Sequence, residues 1–101
     1  MFGGKGKLIE FLPTDNDRVL FFAKRAAVGD NVLLVAVNLD PSWPHQTTAW
    51  VPPHLVGVAP GGRYEVHDLL SDERYIWSEH NYIRLTPGEK PAHVLRVERR
   101  L

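Results

Sequence analysis

Val32-Leu33-Leu34-Val35-Ala36-Val37-Asn38-Leu39-Asp40-Pro41 is the stretch on which the fold turns. It is rich in β-branched residues and apolar on both faces, and Asp40-Pro41 ends it. A strand over Val32–Leu39 follows, central in its sheet. Just before it, Gly29, Asp30 and Asn31 supply hairpin chemistry, because Gly and Asn tolerate positive φ. Arg18–Arg25 is then the antiparallel partner. Ahead of that partner, Pro13-Thr14-Asp15-Asn16-Asp17 is a turn cluster whose side chains bond their own backbone, and it closes a first strand over Lys7–Leu12.

Downstream the same rhythm continues. Ser42–Pro44 is a loop before a strand over Gln46–Val51, which Pro52-Pro53 stop. A connecting segment through His54, Leu55, Val56 and Gly57 reaches Pro60-Gly61-Gly62. Arg63–Leu70 then alternates, with Tyr64 and Val66 on one face. Ser71-Asp72-Glu73 turns into Arg74–Trp77, and Ser78–Asn81 links to Tyr82–Leu85. Pro87, Gly88 and Pro91 precede a last strand over Ala92–Val97, with Leu95 and Val97 on one face. No long window shows helical periodicity. About eight short strands in a hairpin-rich series define an all-β fold, an antiparallel two-sheet β-sandwich. Residues 1–6 read as a flexible lead-in and residues 7–101 as one sandwich domain.

Composition narrows the function classes. At 101 residues one core suffices, and a 44% hydrophobic, 24% charged chain is that of an ordinary globular domain. Twelve basic and twelve acidic residues cancel, so no broad field attracts nucleic acid or an anionic membrane. With no cysteine, thiolate chemistry, disulfides and cysteine metal sites all fall away, and the balance leans to the cytoplasm. Val32–Val37, the longest apolar run, is too short to span a bilayer, and Met1–Lys7 has no signal-peptide apolar region.

The search for chemistry returns few candidates. Ser42, Ser71 and Ser78 lack a nucleophile elbow and sit among turn residues. His45, His54, His67, His80 and His93 are scattered without metal-ligand spacing. Glu65 and His67 share a strand face, but two ligands do not complete a site. The acidic pairs Asp15 with Asp17 and Asp72 with Glu73 lie in turns, where solvation keeps carboxyl groups ordinary. Gly3, Gly4, Gly6, Gly61 and Gly62 lack the residues of a phosphate loop. No catalytic, cofactor-binding or metal-binding residue is expected, and no cofactor. Among the aromatics, Trp50, Tyr64, Tyr75, Trp77 and Tyr82 are expected to pack on strands. Trp43, between Ser42 and Pro44 in a polar loop, is the candidate for sugar or partner contact.

Several segments, in order, resemble one family. They are Asp15-Asn16-Asp17, the Val-Asn-Leu-Asp-Pro ending at Pro41, Tyr64–Tyr75 (YEVHDLLSDERY), Trp77 with Asn81-Tyr82-Ile83-Arg84-Leu85, and Pro91-Ala92-His93. Together they are similar to the C-terminal domain of the alpha-1,4-glucan:maltose-1-phosphate maltosyltransferases, members of the α-amylase clan, glycoside hydrolase family 13. The likeness covers Leu8–Val97. It implies a sandwich of the amylase C-terminal type. It also implies a parent that transfers maltosyl units from α-maltose 1-phosphate to α-1,4-glucan with retention, in α-glucan biosynthesis. The family's nucleophile and acid/base lie on a (β/α) barrel that precedes this domain, so no catalytic residue carries over. Trp43-Pro44 departs from the pattern by adding bulk after Asp40-Pro41.

The leading expectation is therefore a non-catalytic accessory domain whose partner is that barrel, read either as a fragment or as a stand-alone relic. The second reading is a free-standing α-glucan binding module using Trp43 and other exposed aromatics, and the third an interaction module of immunoglobulin or fibronectin shape. A face built for docking should leave an apolar patch drawn from Leu55, Val56, Val58, Trp43 and the outward members of Leu69 and Leu70, and promote homo-oligomers.

Overall fold

The structure is a computed structural model describing residues 7–26 and 31–101. The lead-in over residues 1–6 and the hairpin residues Gly29 and Asp30 lie outside the described residues. Among those described, eight strands form: β1 (Lys7–Phe11), β2 (Val19–Ala26), β3 (Val32–Asn38), β4 (His45–Trp50), β5 (Tyr64–Asp68), β6 (Arg74–Trp77), β7 (His80–Leu85) and β8 (Ala92–Arg100). They make a six-stranded sheet of order β1-β2-β3-β8-β5-β6 and a two-stranded sheet of β4 and β7. Every pairing is antiparallel. The fold is the expected all-β, two-sheet arrangement.

As expected, β3 is central, flanked by β2 and β8. Its inward residues Val32, Leu34 and Ala36 are buried. They meet Phe21 and Ala23 of β2, Leu95 and Val97 of β8, Tyr64 and Val66 of β5, and Trp77 of β6. The small sheet closes this layer with Ala49 from β4 and Ile83 and Leu85 from β7. Burying such side chains contributes about 1.5–3 kcal/mol each, and alternation places them all inward without a change of period.

Two expectations change in the connecting segment. Residues Pro53–Val56 form one helical turn, α1, with Pro at a first-turn position where its missing N–H is harmless. Gly57, at φ 77°, ends the turn in the left-handed conformation, which a residue with a Cβ reaches only at a cost. The turn directs Leu55 and Val56 into the core, so they are not part of an exposed docking patch. The short amphipathic pair is too brief to show a helical period.

Strand ends fall within three residues of the sequence reading, and β6 matches it at both ends. The largest difference is β8, which runs on to Arg100 because Arg99 and Arg100 continue the ladder with Glu65 and Tyr64. The register shift between Glu65 and Val66 leaves Glu98 as an extra residue in β8, a bulge in the longer strand.

Candidate functional site

The polar residues singled out by sequence fall into turn clasps. Asp40, just past β3, accepts the N–H groups of Ser42 and Trp43 at 2.9 and 3.2 Å, while His45 Nε2 lies 3.0 Å from its other oxygen. Asn38 adds a bond to the Trp43 carbonyl at 3.0 Å. The loop is thus held from within, and the indole of Trp43 is left 69% exposed. Asp15 reaches the small sheet. Its Oδ1 accepts the Thr47 hydroxyl at 2.5 Å and the Thr48 N–H at 2.9 Å, and those bonds, Thr47 first, hold its carboxyl below the ordinary range.

Asp68 ends β5 and anchors the turn that follows it. Its carboxylate is completely enclosed, accepting the Leu70 N–H at 3.0 Å and the Ser71 hydroxyl at 3.0 Å, with His93 Nδ1 at 2.7 Å. A carboxylate can only accept, so the proton of that last bond sits on His93 Nδ1. Burial pushes Asp68 upward and is the largest single influence. The bonds from Leu70, His93 and Ser71 outweigh it together and leave the carboxyl below its usual range. Tyr75 packs edge-on to His93 with ring centroids 5.8 Å apart, and donates its hydroxyl to Glu73 at 2.7 Å. Lys90 pairs with Glu73, and with Tyr75 and Ser71 it pulls that carboxyl down to about 2.

Glu65 and His67 do not pair with each other. Glu65 faces Arg99 at 3.5 Å, and His67 lies between Glu98, 3.2 Å from Nδ1, and Asp72, 2.5 Å from Nε2. Both ring nitrogens are thereby engaged. Among the described residues no three His, Asp or Glu side chains converge as metal ligands. Ser71 faces the carboxylates of Asp68 and Glu73 rather than a histidine, an arrangement that orients a turn and does not activate a nucleophile. Carboxyl groups held below their ordinary range carry no proton to donate at neutral pH.

The aromatics divide. Tyr64 and Trp77 are core residues, the Tyr64 hydroxyl donating to the Ser78 carbonyl at 3.1 Å with its titration pushed up by burial. Asn81 clasps Ser78 on both sides, accepting its N–H and donating to its carbonyl at 2.8 Å each. Tyr82, expected to pack, is instead 64% exposed on the outer face of β7. Inward Asn81, Ile83 and Leu85 alternate with outward His80, Tyr82 and Arg84. Tyr82 is common to two concavities of about 200 and 220 Å³. One is lined by Tyr75, Trp77, Arg84 and Lys90 among others, and the other by Asp15, Asn16, Gln46, Thr47 and Thr48.

Opposite this, the outer face of the large sheet carries an apolar band that sequence reading did not assemble. Cross-strand registers place Phe11 beside Phe22, Phe22 beside Val35, and Val35 beside Val94. A second row runs Leu20, Val37, Ala92. Leu69, 43% exposed, extends the first row through its N–H bond to the Val94 carbonyl at 2.8 Å. Phe11 and Phe22 stack tilted, with centroids 5.7 Å apart.

An antiparallel sandwich with structural clasps, one apolar outer face and one polar outer face defines a class of domain. Comparison with known proteins narrows it. The family model described as GLGE, C-terminal, matches residues 11–97, and the chain belongs to that family. It is 40% identical over 92 residues to an alpha-1,4-glucan:maltose-1-phosphate maltosyltransferase of Myxococcus xanthus, covering 90% of this chain and 14% of that protein. The second maltosyltransferase of Streptomyces coelicolor is 40% identical over 91 residues, and that of Mycolicibacterium smegmatis 35% over 91 residues, each match covering 90% of this chain and 13% of the relative. The chain therefore spans about one seventh of the curated relatives it matches. In the described residues no helix is long and apolar enough to cross a membrane.

Proposed function

We propose that residues 7–101 act as a single non-catalytic domain that docks on the catalytic (β/α) barrel of an α-glucan maltosyltransferase and stabilises it in the cytoplasm. The apolar band on the outer face of the large sheet carries this reading. Phe11 is 68% exposed at the end of that band, and covering a phenylalanine contributes about 1.5–3 kcal/mol. Interfaces between domains commonly bury about 600–1,500 Å², an area this row of side chains can nucleate. The turn-bound carboxylates and serines support a role without turnover. Trp43, presented by a stiffened loop, is a second contact point for a partner or sugar.

The test is association in trans. The Myxococcus xanthus relative, truncated before its matched 92 residues, is mixed with this chain and sedimented. A complex is expected, weakened at least about tenfold by the double substitution Phe11→Ser and Val35→Thr. No complex with a truncated protein that is folded by circular dichroism, or a complex indifferent to the substitutions, overturns the reading. The chain alone should release no phosphate from maltose 1-phosphate. Release abolished by a point substitution in this chain overturns the non-catalytic assignment.

A further inference from the structure

The outer face of the small sheet points to a second site. We propose that Tyr82, with Asp15, Gln46, Thr48 and Arg84, forms a surface site for a linear α-1,4-glucan. The identity of the glucan rests on the family membership and not on docking by the opposite sheet. The platform is built by register: Thr48 lies across from Tyr82 and Gln46 across from Arg84. The Tyr82 hydroxyl donates to Gln46 Oε1 at 2.8 Å, which fixes the phenol without covering it.

Sugars need two things from a protein surface: a flat apolar ring for their C–H face, and polar groups with spare hydrogen-bonding capacity around it. Both are present. The bond to Tyr82 uses the oxygen of the Gln46 amide and leaves its nitrogen to donate. Asp15 engages Thr47 and Thr48 through Oδ1, leaving Oδ2 to accept. Among the described residues Arg84 enters no ion pair, and the Thr48 hydroxyl bonds no other side chain or backbone group. The charges are mixed, since Asp15 opposes an anion while Lys90 is already neutralised by Glu73. A neutral polyhydroxylated ligand fits this pattern better than a phosphate or an acidic peptide. Concavities of about 200 and 220 Å³ meeting at one tyrosine suit a chain of successive sugar rings rather than a single small molecule. Trp43 has the exposed ring, but the side-chain oxygen of Asp40 near it that binds backbone N–H groups is spent on its own loop.

Amide NMR titration of the chain with maltoheptaose tests the site. Saturable shifts are expected at Gln46, Thr48, Tyr82 and Arg84, with Tyr82→Ala weakening binding about tenfold and Tyr82→Phe retaining most of it. Tyr82 is exposed, so the alanine variant should keep the wild-type spectrum elsewhere. Absence of saturable shifts, binding that survives Tyr82→Ala, or equal binding of a β-1,4-linked glucan of the same length each overturns the proposal. None of these outcomes depends on the apolar face of the other sheet.

Discussion

The two outer faces of the sandwich are built from the same alternating strands and come out chemically opposite. On the large sheet, β2, β3 and β8 turn Leu20, Phe22, Val35, Val37, Ala92 and Val94 outward, away from a core that already claims the other face. On the small sheet, β4 and β7 turn Gln46, Thr48, His80, Tyr82 and Arg84 outward. A sheet face open to water normally alternates to polar, as the small sheet does; strands apolar on both faces belong between two layers. By that rule the large sheet has the pattern of a middle layer, which is what supports the proposed docking. The contrast sets the face on which docking is proposed against a face that alternates as an open sheet does.

The contrast breaks first if the interior between the sheets is not where the stability resides. Trp77 lies on the inward face of β6, packed with its ring centroid 6.2 Å from that of Phe21. Trp77→Ala should cost about 3–5 kcal/mol in urea unfolding. A loss below about 1 kcal/mol would mean that the sheets do not close on this indole.

A smaller effect tests how the large sheet's far end is held. Asp68→Asn keeps the size of the side chain but removes the charge that His93 and Ser71 address, and should cost about 1–3 kcal/mol at neutral pH. The pH dependence has a definite sign. Asp68 is held below its ordinary value of 3.8, so its contribution is complete above that value and disappears as pH falls through the lower folded-state value. Stability of the wild type should be level from neutral pH to about 5 and fall below about 4. Glu73, Glu98, Asp40 and Asp15 share the direction, so the variant should lose only part of the acid dependence. Denaturant melts between pH 3 and pH 7 check it, and stability that rises on acidification would reverse the assignment.

Most of the strand pattern was legible because Gly, Pro, Asp and Asn punctuate it every eight to twelve residues and the β-branched run at Val32–Val37 marks the centre. What escaped the sequence was mostly non-local. Nothing near Ala92 announces that β8 inserts between β3 and β5, and the outer apolar band exists only once those registers align Phe22, Val35 and Val94. Leu55 and Val56 were misplaced because one helical turn is too short to display a period. Tyr82 was misplaced because β7 inverts the usual sense, with Asn81 inside, satisfied by Ser78, and the aromatic outside. The exchange is readable only by counting back to His80, since His80, Tyr82 and Arg84 all carry polar tips.

The smallest expected effect falls on Tyr82, and it sharpens the comparison most. Its ring lies on the outer face of β7 with most of its surface in water, so truncation removes little buried apolar area and leaves no cavity. What is lost is the bond to Gln46 and the cross-strand contact with Thr48, each of which contributes about 0.2–1 kcal/mol in an exposed sheet. Tyr82→Ala should therefore change stability by less than about 1 kcal/mol in the same urea melts that reveal the cost of Trp77→Ala. A small loss leaves the exposed ring free for the binding role proposed for it. If Tyr82→Ala instead costs as much as Trp77→Ala, the ring is a structural brace between β4 and β7, and the polar outer face loses its claim to be a binding surface.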